Sequence, residues 1–157
     1  MIGKTEKQLI MLFKQKKTKR TGIWLDKKKA IVVRLINGET SMNTITSNIE
    51  SFRPHGGSGT RFKGGPQDVL QDSKYLEREK NQLRDYFKNL ASEIRDSDDI
   101  ILFGPAETAE KFYKELTLNY KDLSSKVKDV VKADSMTNNQ VIAWVKAFYK
   151  IKDDKTG

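Results

Sequence analysis

The chain contains no cysteine, which excludes a disulfide framework, a zinc ribbon, thiol catalysis and a cysteine-ligated cluster. It has one histidine, His55, so a histidine-rich metal site is excluded as well. Long apolar runs are missing too. The longest early one, Leu9 to Phe13, is five residues, far short of the ~20 that a spanning helix needs and too short for a secretory signal core. The expectation is therefore a cytoplasmic chain that does not cross a membrane.

Acidic residues are scarce in one part of the sequence only. From Met1 to Gly65 there are 14 Lys and Arg against 4 Asp and Glu, a net +10, whereas from Pro66 to Gly157 there are 16 against 17, a net −1. The whole excess of this +9 protein thus lies before Pro66. Clustered cations gain affinity for polyanions by releasing condensed counterions, so this asymmetry points to a nucleic acid or an anionic membrane surface as partner.

With 157 residues, 36 % of them hydrophobic and 32 % charged, one domain with short appendages is expected. Residues 1–21 read as a basic arm carrying Lys14, Lys16, Lys17, Lys19 and Arg20, which would contact RNA or the ribosome. The alternatives for it are a frayed terminus, an amphipathic membrane anchor and a transit segment. The domain proper is placed at 22–149, and a loose tail at 150–157.

Within the domain, Gly22 to Asp26 and Ala30 to Ile36 are rich in β-branched and aromatic residues and flank Lys27-Lys28-Lys29, which predicts a hairpin. Asn37-Gly38 supplies the two φ > 0 positions of a type I′ turn, and Glu39 to Ile49 returns as a third strand. Leu76, Leu83, Phe87, Leu90 and Ile94 recur at helical spacing and predict an amphipathic helix over Ser73 to Arg95. Ile100 to Phe103 is a continuous apolar run ended by Gly104-Pro105, as in a buried parallel strand. A helix with Ala109, Phe112 and Leu116 on one face follows, then a strand at Val127 to Val131. Thr137-Asn138-Asn139-Gln140 matches a capping box ahead of a last helix with Val141, Val145 and Phe148 as its stripe. The order β-β-β-α-β-α-β-α predicts an α/β fold with a ribonuclease H-like mixed five-stranded sheet.

A metal-dependent nuclease on such a sheet needs carboxylates converging on two cations. Asp26 ends the first strand, but the fourth strand ends in Phe103-Gly104-Pro105 where a second carboxylate would belong. Glu77 and Glu79 sit among alternating charges, as on a solvated helix face, and Asp134 is a lone Asp after a strand, the position of a turn residue. No catalytic residue, metal site or cofactor is expected. A long loop expected over Ser51 to Asp68 stands out instead, above all its part from Ser51 to Gly65. That part holds Arg53, His55, Arg61 and Lys63 on five glycines and contains no acid, so its backbone can approach phosphates that its cations neutralise.

Three motifs, Gly22-Ile23-Trp24-Leu25-Asp26-Lys27-Lys28-Lys29-Ala30, His55-Gly56-Gly57-Ser58-Gly59-Thr60-Arg61-Phe62 and Ile101-Leu102-Phe103-Gly104-Pro105-Ala106-Glu107-Thr108, carry a resemblance. Together they resemble the middle domain of archaeal and eukaryotic peptide-chain release factors and Pelota-type rescue factors, and most of all their small bacterial relatives described as translational machinery proteins. The resemblance implies the same fold and a ribosome, rRNA or tRNA partner. In that family a Gly-Gly-Gln loop promotes peptidyl-tRNA hydrolysis. Here Gly56 and Gly57 match the two glycines, but Ser58 stands in place of the glutamine, or follows its deletion, and Arg61-Phe62 comes one residue early. Binding without hydrolysis is therefore expected, through Arg53, His55, Gly56, Gly57, Ser58, Arg61 and Lys63. The rival readings are an ester hydrolase using Gly56-Gly57-Ser58, a metal-dependent nuclease, and a structural adaptor.

Overall fold

A computed structural model describes residues 18–49 and 66–156, with side chains over 18–49 and 73–150. The strands are β1 (Lys19–Leu25), β2 (Lys29–Ile36), β3 (Glu39–Thr46), β4 (Asp99–Gly104) and β5 (Val127–Lys132). The helices among the described residues are α1 (Pro66–Glu93), α2 (Thr108–Asn119), α3 (Lys121–Ser124) and α4 (Asn138–Thr156).

The sheet order is β3-β2-β1-β4-β5. β2 runs antiparallel to both β1 and β3, and β4 is parallel to both β1 and β5. This is the expected ribonuclease H-like α/β arrangement. The hairpin at Asn37-Gly38 forms as its turn chemistry requires, with φ of 53° and 80° at the two residues.

Strand alternation divides the core into two layers. Ile23, Leu25, Ala30, Val32, Ile100 and Leu102 meet α1, α2 and α3 through Phe87, Leu90, Ile94, Phe112, Leu116 and Leu123. Trp24, Ile31, Val33, Ile101 and Phe103 point the other way, against Val141, Val145 and Tyr149 of α4. β4 is buried on both faces, which is why it reads as an unbroken apolar run.

Several boundaries differ from expectation. β1 starts at Lys19, because β2 is long enough to pair back to it: Lys19 faces Ile36 and Arg20 faces Leu35. Lys19 and Arg20 are thus strand residues, not part of the arm. β3 stops at Thr46, where Ser47 is buried, its Oγ accepts the Ile49 N–H, and Asn48 turns at φ 56°. α4 continues to Thr156 through the stretch expected to be a tail, and α3 was not anticipated. α1 starts at Pro66, seven residues before the expected Ser73, and Leu76, read as part of its buried stripe, is 58 % exposed.

That exposure has a geometric cause. The end of α1 lies over β2 and β3, where Arg34 and Asn43 hold Glu93. Further back along the helix, the Tyr86 hydroxyl donates to the Asp26 carbonyl (3.0 Å), and Glu79 pairs with Lys27 (3.2 Å), both at the β1–β2 turn. The 13 residues before Glu79 therefore overhang the sheet by roughly 20 Å at 1.5 Å per residue.

Candidate functional site

The carboxyl ends of β1, β4 and β5 and the β1–β2 turn share one edge of the sheet, the edge where open α/β sheets usually place their ligands. β3 also ends at this edge, with Thr46 beside Lys29, and residues 50–65 follow in the sequence before α1. Ser47 N–H donates to the Lys28 carbonyl (2.9 Å), and the segment rejoins the fold at Pro66, the tip of the overhanging helix. Arg53, His55, Gly56, Gly57, Ser58, Arg61 and Lys63 lie outside the described residues, as do Lys14, Lys16 and Lys17.

The other two cations assigned to RNA are engaged with the fold. Lys19 Nζ lies 2.8 Å from Asp96 Oδ2, a contact that raises the lysine pKa and lowers that of Asp96. The Arg20 guanidinium sits 5.5 Å from the centre of the Tyr149 ring. Both belong to the amino end of β1, the opposite edge from the β1–β2 turn.

Of the carboxylates considered for nuclease chemistry, Asp26 and Glu79 have structural partners. Asp26 Oδ1 accepts the N–H groups of Lys28 (2.8 Å) and Lys29 (2.9 Å), which makes it the organiser of the β1–β2 turn. Glu79 pairs with Lys27, Glu77 is exposed, and the Asp134 carbonyl accepts the Trp24 indole N–H (3.1 Å). At the end of β4, a Cβ on Gly104 would stand 2.2 Å from the Leu25 carbonyl oxygen. No carboxylate side chain fits there. Among the described residues, no group of three His, Cys, Asp or Glu side chains could hold a metal ion.

What the edge does hold is a cleft of about 590 Å³ lined by Asp26, Lys27, Lys28, Pro105, Ala106, Glu107, Thr108, Lys111 and Lys132. Lys132 arrives beside Gly104 through the β4–β5 register, and the turn into α2 passes through Ala106 at φ 53°. In the sequence, Lys28 stands in the expected β1–β2 turn and Thr108 only closes the third motif, while Lys111 and Lys132 carry no functional signal of their own. The signal available was weak: Lys28 and Lys132 are polar residues just after predicted strand ends, a position that acquires meaning only once the strands are ordered.

No family model and no curated protein matches the sequence. Among solved structures, the Archaeoglobus fulgidus Pelota protein is similar over 92 % of this chain and 36 % of its own length, at 11 % identity and a TM-score of 0.51. Thermoplasma acidophilum Pelota matches 82 % of this chain and 32 % of its own, at 14 % identity and a TM-score of 0.47. An archaeal translation termination factor matches 88 % and 42 %, at 14 % identity and a TM-score of 0.43. The chain thus spans about a third of the length of the Pelota structures, and the likeness is one of fold.

Proposed function

We propose that this chain is a non-catalytic, translation-related protein that binds ribosomal or transfer RNA through the Ser51–Gly65 segment and the basic arm before β1. The observation that carries the reading is the placement of an acid-free, glycine-rich segment with Arg53, Arg61 and Lys63 between β3 and an overhanging helix. It is supported by the sequence resemblance to release-factor and Pelota middle domains and by the fold shared with Archaeoglobus fulgidus Pelota. A helix that extends ~20 Å past its sheet gives the segment reach, and its glycines allow close approach to phosphates.

The replacement of the Gly-Gly-Gln glutamine by Ser58, or its deletion, removes the residue on which hydrolysis by that family depends, so the segment binds without promoting peptide release. Lys14, Lys16 and Lys17 add phosphate contacts that carry no sequence information.

The test is co-sedimentation of the full chain with ribosomes across a salt series. Association should weaken with a log–log slope of roughly 0.7 to 0.9 per phosphate neutralised. The combined variant Arg53→Ala, Arg61→Ala, Lys63→Ala should flatten that slope while changing stability by less than ~0.5 kcal/mol. Binding by the variant equal to that of the parent would remove the segment from the interface. Release of labelled peptide from programmed ribosomes above a no-factor control would replace this reading with the hydrolase one.

A further inference from the structure

The cleft at the carboxyl edge combines three features that independently favour an anion. First, the leading N–H groups of α2, a 12-residue helix, have no acceptor within the helix, and Glu107 at the N-cap position provides no side-chain cap. Second, Thr108 lines the cleft while only 4 % exposed, and its hydroxyl has no hydrogen-bond partner among the described residues. The hydroxyl is open to the cleft and can donate to a ligand oxygen there as it does to water. Third, four lysines line the cleft against two carboxylates. Lys27 is paired with Glu79, and Asp26 Oδ1 is taken up by the turn, whereas Lys28, Lys111 and Lys132 form no ion pair among the described residues.

We propose that this cleft is a phosphate-binding site. The phosphate oxygens accept from the first N–H groups of α2 and from the Thr108 hydroxyl, while the ammonium groups of Lys28, Lys111 and Lys132 balance the charge. Glu107 opposes the anion at the helix terminus and limits its affinity. A volume of about 590 Å³ exceeds what a bare phosphate fills, so the group arrives on an ester, either a free monoester such as a mononucleotide or the phosphodiester of an RNA strand.

The experiment is a ¹H–¹⁵N NMR titration of the full chain with inorganic phosphate, adenosine monophosphate and an RNA hexanucleotide lacking terminal phosphates, with chloride at matched ionic strength as control. The amides of Thr108, Ala109 and Glu110 should shift saturably with a phosphate ligand and not with chloride. Lys132→Ala should weaken binding about 2- to 5-fold, Thr108→Val about 2- to 10-fold, and Thr108→Ser should restore the parent affinity. Glu107→Gln should tighten binding about 2- to 5-fold. Lys126→Ala, at the amino end of β5 on the opposite edge, should change nothing. Tighter binding of the monophosphate assigns the site to free monoesters, and tighter binding of the hexanucleotide assigns it to RNA backbone. Absence of saturable shifts with all three ligands, or equal weakening by Lys126→Ala and Lys132→Ala, overturns the proposal. Because the titration contains no ribosome and no segment variant, its failure and that of the RNA-binding reading are separately visible.

Discussion

Gly22 of β1 lies so close to Val145 of α4 that a Cβ at position 22 would stand 2.3 Å from Val145 Cγ2. The glycine is required by packing, since its strand conformation is open to any residue. Gly22→Ala should therefore cost about 1 to 3 kcal/mol by overpacking. Combining it with Val145→Ala should cost less than the two single changes added together, a coupling that urea denaturation of the four proteins would measure. A Gly22→Ala protein as stable as the parent would show that α4 sits further from the sheet.

The same helix is tied to β1 by Tyr149, whose hydroxyl donates to the Thr21 carbonyl at 2.9 Å, as that of Tyr86 donates to Asp26 across the other layer. Burial pushes both phenols above the usual tyrosine range, because the low-dielectric core disfavours the phenolate. A pKa raised by folding gives stability that is complete below the unfolded value of about 10 and is lost as pH rises above it. Replacing both tyrosines by Phe should cost roughly 1 kcal/mol each at pH 7. The double variant should then lose less stability than the parent between pH 9 and pH 11, in urea titrations run side by side. Parallel pH profiles would refute the assignment.

Arg34 Nη2 donates to Glu93 Oε1 at 2.8 Å and to the Glu93 carbonyl at 2.6 Å, and Asn43 adds a third bond to the carboxylate, so β2 and β3 clasp the end of α1. The Arg34 hydrogen bond, then that of Asn43, holds the Glu93 carboxyl below its ordinary range. A depressed carboxyl contributes stability above its unfolded pKa, and this is lost as pH falls through the folded value. With the carboxylate about a third exposed, Glu93→Gln should cost only ~0.5 to 1 kcal/mol at pH 7. The difference from the parent should shrink toward pH 3. An undiminished difference in acid would mean that Glu93 acts through packing.

At the start of α4, Thr137 Oγ1 accepts the Gln140 N–H (3.2 Å) and Gln140 Oε1 accepts the Thr137 N–H (2.9 Å). Thr137→Ala removes one half of this reciprocal cap and should cost about 1 kcal/mol. Calorimetry would register it as a fall of several degrees in Tm. An unchanged Tm would mean that water caps the helix equally well.

The features legible in the sequence were those whose chemistry is local. Asn37-Gly38 carries its own φ > 0 preference, Thr137 and Gln140 cap across three residues, and the apolar run of β4 announces burial on both faces. The amphipathic periods of α2 and α4 likewise placed Phe112, Leu116, Val141 and Val145 in the core. Together these determined the element order and hence the sheet. The ends of elements depend on partners distant in sequence, and there the local signal failed. Lys19 became a strand residue because Ile36 reaches back to pair with it. Leu76, on the correct helical stripe, stayed exposed because the sheet stops beneath Glu79 and leaves it nothing to pack against. The cleft required tertiary structure altogether. Lys28, Thr108 and Lys132 are separated by up to 104 residues, and only the register that lays Leu25 beside Gly104, and Gly104 beside Lys132, brings their charges and a hydroxyl to one edge.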